Sequence, residues 1–370
     1  MPQELSSLKI GYVPMNDGAY HPFDLKNFIY YSRQNNLDVE IAIPENYYDL
    51  IVLSPKADIS VWSKFPIGKT KIIFFLVDSY FAVKKWDIKN ILRGFGKYFS
   101  GEHKILRINY SRALIEMCKR ADGVICTTNE QKQKIQNYCE NVHIILESHF
   151  KIIRHQKTDY SLGSQIKLVW EGRPENILAL EQIRAPLIKL AKTHRISLHV
   201  ITDLEYKKYT NKFVNVSVIG KMKEIFGEKF SLNTVDGNHS LIYFYQWNTE
   251  MASKIVSECD LAIIPLDMND PMMYGKPENK LLLFWRMGMP TLVSAIPAYV
   301  NVMDKCGLDM YCKGESDWVE KLKKYIADSE ARKNGGVVGQ AFAENQYSEK
   351  EYLKKWDNVL ESIGVITKIT

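Results

Sequence analysis

Short apolar segments rich in β-branched residues recur along the chain, and stretches with helical spacing separate them. Residues 49–54 (DLIVLS), 71–78 (KIIFFLVD) and 123–128 (GVICTT) show little alternation of apolar and polar side chains, which is typical of strands buried on both faces. Residues 111–122 (SRALIEMCKRAD) instead place apolar side chains at the three- and four-residue intervals of a helix. Strands that alternate with helices predict an α/β fold built on a parallel, doubly wound sheet.

This pattern breaks once and then restarts. Residues 150–165 are polar and irregular, as in a linker, and 166–172 (IKLVWEG) then begin a second series of strands and helices. A chain of 370 residues is too long for one compact core and long enough for two domains. We predict an N-terminal Rossmann-like domain over 1–155 and a C-terminal Rossmann-like domain over 166–345.

A final helix is predicted over 346–370. Residues 348–351 (SEKE) have the pattern of a capping box, in which the serine and the second glutamate satisfy backbone N–H groups at a helix start. Apolar residues then recur at helical spacing, so the helix has one face that must pack against another element. That face consists of Leu353, Trp356, Val359, Leu360 and Ile363.

Composition excludes several classes of protein. Lys and Arg exceed Asp and Glu by only six, 49 against 43, which is too few for a dedicated nucleic-acid binder but is compatible with anionic ligands or an anionic membrane surface. The six cysteines include no C-x-x-C pair, the usual sign of a zinc or redox site. The first residues lack the features of a signal peptide, and no apolar run approaches the ~20 residues of a membrane span. We therefore expect a cytoplasmic protein.

The segment 274–294 (YGKPENKLLLFWRMGMPTLVS) contains an apolar helix with cations at its start. Pro277 suits the first turn of this helix, and Gly288 suits the position just after its end. Lys276 and Lys280 lie near the start, where positive charge opposes the helix dipole unless an anion is bound. A solvated basic loop is the alternative explanation of these lysines.

The start of this helix has the properties of a phosphate site. Free backbone N–H groups at a helix N-terminus bind anions, and Lys276, Asn279 and Lys280 add polar side chains around them. The segment also follows the carboxyl end of a predicted strand, 261–267 (LAIIPLD), where ligands bind in open α/β sheets. The pattern therefore predicts a site suited to a diphosphate.

Three motifs resemble the donor domain of the GT-B glycosyltransferases, a large family that contains many bacterial surface-polysaccharide enzymes. Residues 257–267 (SECDLAIIPLD) resemble the family's strand that runs from an aspartate through apolar residues to a proline. Residues 276–294 resemble its Asn-Lys, helix and Gly-x-Pro block, and 167–176 (KLVWEGRPEN) resemble its strand ending in Gly-Arg. The order and spacing of the motifs match the family over 167–300, whereas 1–155 resembles it only in architecture.

The resemblance implies two Rossmann-like domains that face each other across a cleft, with the C-terminal helix packed back on the N-terminal domain. Arg173 would meet the donor diphosphate because its planar guanidinium suits phosphate, although a surface ion pair with Glu175 would also explain it. Trp247 falls where the family's chain passes the nucleotide base, although a core tryptophan fits equally well. The implied donor-binding set is Gly18, Gly172, Arg173, Trp247, Tyr274, Lys276, Glu278, Asn279 and Lys280.

One pair of positions departs from the family. Many members carry a glutamate five residues before the glycine of Gly-x-Pro, where it holds the donor ribose, and a second glutamate eight residues earlier. Leu283 and Gly275 occupy these positions here. Glu278 is the nearest carboxylate and is a candidate substitute. The departure leaves ribose binding and the stereochemistry of transfer open.

Sugar transfer also involves an acceptor hydroxyl, which a base can activate. Asp17 and His21, in the loop after the first strand, are base candidates, although His21 would also suit a helix entry before Pro22. Asp78, at the end of another predicted strand, is a third candidate, although it would also suit a helix cap. Gly18 allows close approach of the backbone to a ligand.

We expect no metal ion and no cofactor. The chain contains no Asp-x-Asp, and Asp267 and Asp270 are spaced too loosely to indicate a metal site. In GT-B enzymes, basic side chains and a helix N-terminus neutralise the leaving diphosphate without an obligatory metal. The nucleotide sugar would be a substrate.

Basic and aromatic residues are interleaved in 83–99 (VKKWDIKNILRGFGKYF), which suits an anionic membrane interface or the phosphates of a lipid-linked acceptor. The alternative is a solvated helix with one buried face. Nucleic acid is disfavoured by the small net charge. We predict peripheral contact with the inner face of the plasma membrane through this segment.

These features together predict a glycosyltransferase that moves a sugar, of a hexose type, from a nucleotide-sugar donor to a glycan or lipid-linked saccharide. Two other functions fit the same residues. One is a catalytically inactive scaffold that binds sugar nucleotides, and the other is a different two-domain Rossmann enzyme, such as a sugar-nucleotide epimerase.

Overall fold

The computed structural model describes residues 7–16, 18, 21–82, 88–208, 211–227, 232–233 and 239–366. The chain forms two compact units. The N-terminal unit comprises Met1–Ser148, Tyr274–Pro277 and Glu349–Thr370, and the C-terminal unit comprises His149–Met273 and Glu278–Ser348. Each unit contains one extended, mainly parallel sheet with surrounding helices, so the predicted α/β class with two Rossmann-like parts is confirmed.

Six strands form the sheet in the described part of the N-terminal unit. They are β1 (Ile10–Val13), β2 (Val39–Ile41), β3 (Leu50–Leu53), β4 (Lys71–Phe75), β5 (Gly123–Cys126) and β6 (Val142–Ile144). Their order is β2-β1-β3-β4-β5-β6, and every neighbouring pair is parallel. All residues of β3 and β5 are buried, as expected of apolar runs in a parallel sheet covered on both faces.

The described helices of this unit before residue 149 are α1 (Pro22–Lys26), α2 (Phe28–Gln34), α3 (Ile59–Trp62), α4 (Ile88–Phe99), α5 (Tyr110–Arg120) and α6 (Asn129–Ile135). Asp58, Asn109 and Thr128 cap α3, α5 and α6, because each side chain accepts a hydrogen bond from a backbone N–H of the first turn. Polar residues at the ends of apolar runs therefore set where these helices begin.

The described strands of the C-terminal unit are β7 (Ile166–Glu171), β8 (Ile196–Thr202), β9 (Glu205–Lys208), β10 (Asn211–Ser217), β11 (Leu232–Asn233), β12 (His239–Gln246), β13 (Leu261–Ile264), β14 (Thr291–Ser294) and β15 (Tyr311–Cys312). Seven form one sheet in the order β11-β12-β8-β7-β13-β14-β15, in which only the edge strand β11 is antiparallel to its neighbour. Strands β9 and β10 pair with each other separately. The sequence pattern did not predict this pair, because lysines and asparagines interrupt its apolar residues.

The described helices of the C-terminal unit are α7 (Arg184–Ala191), α8 (Val218–Phe226), α9 (Ala252–Ser257), α10 (Asn279–Arg286), α11 (Pro297–Cys306), α12 (Glu315–Ala327) and α13 (Ser329–Gln346). A 3-10 segment, Pro174–Ile183, joins β7 to α7. Helix α10 follows β13 and precedes β14, so the predicted diphosphate segment occupies a strand-to-helix connection.

The last helix, α14 (Glu349–Ser362), belongs to the N-terminal unit, which confirms the predicted packing of the chain's end. Trp356 is fully buried, with its ring centroid 5.2 Å from that of Phe28 and 5.7 Å from that of Phe75. Tyr31 stacks on the same indole at 5.7 Å and donates its hydroxyl hydrogen to Asp357 at 2.7 Å. Aromatic packing and one charged hydrogen bond thus hold α14 against α2 and β4.

The polar stretch before β7 is packed rather than loose over its second half. Lys157 donates from its backbone N–H to the Met287 carbonyl at 2.8 Å and from Nζ to the Cys259 carbonyl at 2.7 Å. The Tyr160 hydroxyl donates to the Gly288 carbonyl at 2.9 Å. Burial lowers the pKa of Lys157, an effect that the nearby Asp260 carboxylate opposes. These contacts make the polar stretch part of the C-terminal unit.

Candidate functional site

Helix α10 begins at Asn279, with Glu278 as its N-cap residue. Pro277 therefore precedes the helix, instead of lying in its first turn as predicted. The first helical hydrogen bond runs from the Leu282 N–H to the Glu278 carbonyl at 2.9 Å, so the N–H groups of 279–281 have no acceptor within the helix. Gly288, with φ of 70°, follows the helix in the left-handed conformation that the sequence predicted.

The Glu278 side chain accepts a hydrogen bond from the Tyr347 hydroxyl at 2.9 Å. Burial, followed by the Glu278 charge, raises the pKa of Tyr347, so the phenol stays protonated and continues to donate. This hydrogen bond holds the carboxylate that the sequence suggested as a substitute for the family's ribose-binding glutamate.

Lys280 is bound by a carboxylate that the sequence analysis missed. Its Nζ lies 2.6 Å from Glu171 Oε2 and 2.6 Å from the Glu171 carbonyl oxygen. The Glu171 side chain is only 13% exposed, so water screens this ion pair weakly. Glu171 is the last residue of β7, and this position at the carboxyl end of a strand was the signal that could have identified it.

Gly172 and Arg173 follow Glu171 directly. A Cβ atom on Gly172 would lie 2.6 Å from the Trp170 ring, so only glycine fits here. Arg173 is exposed at the N-cap of the 3-10 segment, and it forms no ion pair within the described residues, with Glu175 or otherwise. The ion pair between Lys280 and Glu171 places the start of α10 beside Gly172 and Arg173, which follow Glu171 in the chain.

Trp247 follows β12, and its backbone N–H donates to the Thr202 carbonyl at the end of β8 (2.9 Å). Its side chain is half-buried, which differs from the fully buried core position that was the alternative. Strands β12, β8 and β7 are consecutive in the sheet, so Trp247 shares the carboxyl edge with Glu171.

Tyr274 and Lys276 group with the N-terminal unit, whereas Glu278, Asn279 and Lys280 group with the C-terminal unit. Within the N-terminal unit, Gln131 Nε2 donates to the Gly275 carbonyl at 3.0 Å. A Cβ atom on Gly275 would lie 1.8 Å from Ser79 Oγ, so this packing excludes any side chain at the position. Close packing therefore leaves no room for a glutamate side chain at position 275.

The predicted base candidates lie in two loops of the N-terminal unit. Asp17 lies outside the described residues, and Gly18 has φ of 94° and is exposed. His21 Nδ1 accepts a hydrogen bond from the Phe23 N–H at 3.1 Å, so the imidazole caps α1, which was its alternative role. Asp78 is exposed after β4.

Asp24 is a buried carboxylate that the sequence analysis did not single out. It accepts hydrogen bonds from the Tyr12 hydroxyl at 2.6 Å and from the Met15 N–H at 3.1 Å. Burial raises the pKa of Asp24, and these two hydrogen bonds act against that rise. Its contacts hold the loop after β1.

No protein-family model matches this chain, and no curated protein does. Solved structures do match it. HepE from Anabaena, solved with UDP, has a TM-score of 0.61 at 10% identity over 96% of this chain and 100% of HepE. The chain has the GT-B fold. Sucrose-phosphate synthase from Thermosynechococcus elongatus has a TM-score of 0.58 at 12% identity, over 85% of this chain and 74% of the synthase. TarM from S. aureus, solved with UDP, has a TM-score of 0.56 at 12% identity over 84% of this chain, which spans 55% of TarM.

Within the described residues of this GT-B chain, no group of three His, Cys, Asp or Glu side chains is placed to hold a metal ion. Metal independence stays a prediction. None of the described helices is both long enough and apolar enough to span a membrane.

Proposed function

We propose that this protein is a glycosyltransferase that transfers a sugar from a nucleotide-sugar donor to a glycan or lipid-linked saccharide, in the synthesis of a surface polysaccharide or glycoconjugate. The observation that carries the proposal is the junction of Gly172, Arg173 and Lys280 at the carboxyl edge of the C-terminal sheet. The GT-B neighbours HepE and TarM were both solved with UDP, which supports a nucleotide donor.

In the proposed reaction, the donor diphosphate lies at the start of α10. Backbone N–H groups there and the Arg173 guanidinium would donate hydrogen bonds to the phosphate oxygens. These bonds would stabilise the negative charge that develops on the leaving nucleotide. Donors that are positioned before the sugar–oxygen bond breaks would stabilise the departing diphosphate, and we propose that they do so without a metal ion. Asp78 is the proposed base that takes the proton of the acceptor hydroxyl.

Nucleotide binding tests the proposal. We expect at least one of UDP, GDP, ADP and CMP to raise the melting temperature of the full chain, and Arg173→Ala to weaken binding of that nucleotide by ~1–3 kcal/mol, as for a lost charged hydrogen bond. Calorimetric titration measures the change. Arg184→Ala, at an exposed position on the same unit, is the control and should bind like the wild type. If no nucleotide binds, the proposed function is wrong.

A second candidate function is an inactive sugar-nucleotide-binding scaffold. The close packing of Gly275 against Ser79 favours the scaffold, because it leaves no room for the second glutamate that many family members carry at this position. Nucleotide binding without hydrolysis or transfer of any donor sugar would select the scaffold over the enzyme.

We also propose that the N-terminal unit contacts an anionic membrane through α4. Ile88, Leu92 and Phe99 recur at helical spacing on this helix, and each is at least 64% exposed. A Cβ atom on Gly94 would lie 2.0 Å from the Arg107 carbonyl oxygen, so the segment 105–108, with three more exposed apolar side chains, packs directly against the helix. The exposed apolar surface is therefore wider than the helix alone.

Charge around α4 matches an anionic surface. Residues 88–112 contain six Lys or Arg and one Glu, a surplus of five positive charges. Apolar insertion and attraction to anionic lipid head groups reinforce each other in interfacial helices.

Vesicle binding tests the membrane contact. The full chain should sediment with vesicles of phosphatidylcholine mixed with phosphatidylglycerol and bind phosphatidylcholine alone more weakly. Leu92→Glu should lower the partition coefficient by about 10-fold or more, because it removes apolar burial and adds a repelled charge. The control is Ile67→Glu, at an equally apolar position that is 88% exposed but distant in sequence from α4. Equal loss in both variants, or none in either, would contradict the proposal.

A further inference from the structure

Glu171 has unused hydrogen-bonding capacity at the site. An ionised carboxylate offers about four acceptor positions. Lys280 binds Oε2, and within the described residues no donor binds Oε1. A carboxylate held in this way at the ligand-binding edge of a parallel sheet is suited to accept hydrogen bonds from a ligand.

The Lys280 ammonium group is oriented by the same carboxylate. It has three N–H donors, and two of them are used by Glu171, one for the carbonyl oxygen and one for Oε2. One N–H is left for a ligand. An amine that is fixed in this way loses less conformational freedom on binding than a freely rotating lysine.

The chemistry of Glu171 selects its ligand group. A carboxylate repels phosphate oxygens, so it must face a part of the nucleotide sugar that donates hydrogen bonds and carries no charge. Hydroxyl groups of the ribose or of the transferred sugar meet this requirement. Lys280 belongs to the first turn of α10, and its remaining N–H suits a phosphate oxygen.

We propose that Glu171 recognises the donor, with one carboxylate oxygen accepting hydrogen bonds from sugar hydroxyls and the other positioning Lys280 for the diphosphate. This inference rests on the proposed function, because it assumes a nucleotide-sugar ligand. It adds a specificity-determining residue, Glu171, that the donor-binding set implied by the sequence did not include.

The test compares ligands that differ by one hydroxyl. Wild type, Glu171→Gln and Glu171→Asp are titrated with UDP, 2′-deoxy-UDP, UDP-glucose and UDP-2-deoxyglucose, or with the matching set for whichever base the wild type binds. In the wild type, removal of the recognised hydroxyl should weaken binding by roughly 10- to 100-fold. In Glu171→Gln this ratio should fall to roughly 3-fold or less, because a neutral amide accepts more weakly. Glu175→Gln, at an exposed carboxylate nearby, is the control and should keep the wild-type ratio.

The arms of the experiment separate the two sources of hydroxyl. A reduced ratio between UDP and 2′-deoxy-UDP assigns Glu171 to the ribose, and a reduced ratio between the two UDP-sugars assigns it to the transferred sugar. Unchanged ratios in both variants, together with nucleotide binding by the wild type, would overturn the inference and leave Glu171 as a support for Lys280 only. Absence of nucleotide binding by the wild type would overturn the proposed function itself. Glu171→Asp keeps the carboxylate that pairs with Lys280, so it provides a second variant to measure if Glu171→Gln does not fold.

Discussion

Replacement of Trp356 by alanine should lower the free energy of unfolding by about 3–5 kcal/mol. The indole is fully buried in the N-terminal unit, where its ring contacts those of Phe28, Tyr31 and Phe75. Truncation removes this apolar burial and leaves a cavity that the three rings cannot fill without moving. The change also frees α14 from its main anchor on the unit.

Urea unfolding followed by circular dichroism measures this loss as a lower midpoint of the transition. Lys354→Ala, at an exposed position on the same helix, is the matched control and should stay within about 0.5 kcal/mol of the wild type. A Trp356→Ala protein with an unchanged midpoint would show that α14 contributes little to the stability of the N-terminal unit.

Acid should destabilise the C-terminal unit through His199. Burial, followed by the positive charge of Lys167, lowers the pKa of His199 to about 4. The neutral imidazole is hydrogen-bonded to Tyr245 Oη at 2.9 Å and to Ser197 Oγ at 3.1 Å, and it stacks on Tyr243. The unfolded chain binds a proton at this histidine below its ordinary pKa of 6.5, whereas the folded chain does not until about pH 4. Stability from this group is therefore present above pH ~6.5 and is lost as the pH falls toward 4.

The loss between about pH 7 and about pH 4.5 should be on the order of 2 kcal/mol. Urea unfolding at a series of pH values measures it. His199→Gln cannot be protonated, so it should remove most of this pH dependence whatever its effect on stability at neutral pH. His155→Gln, at an exposed histidine of the same unit, should retain the wild-type dependence. Identical pH profiles for His199→Gln and the wild type would refute the assignment.

Short sequence patterns predicted the apolar face of α14 and the end of α10, because both depend on residues close together in the chain. The spacing of Trp356, Val359 and Leu360 predicted most of the buried face of α14, although Tyr352 is buried and the predicted Leu353 is only half-buried. Gly288 predicted the end of α10. Both depend on helix geometry that repeats every few residues, so a short window of sequence contains the information. The start of α10 was less well predicted, since Pro277 lies before the helix.

Contacts between distant residues could not be predicted in the same way. Lys280 was identified as a cation at a helix start, but its partner Glu171 lies 109 residues earlier in the sequence. His21 was weighed as a base or a helix entry, and only the Nδ1 hydrogen bond to Phe23 shows that it caps α1. Strands β9 and β10 were missed because their stability comes from pairing with each other rather than from an apolar run.

The sequence by itself determined the α/β class and the two series of strands and helices, and it predicted an apolar helix with cations near its start. These follow from periodicity, caps and glycine, which act over a few residues. The tertiary structure decided which carboxylate meets Lys280. The physical reason is that charge pairing depends on strand order: β7 pairs with β13, and Glu171 at the end of β7 thereby meets Lys280 of α10 across a long separation in the chain.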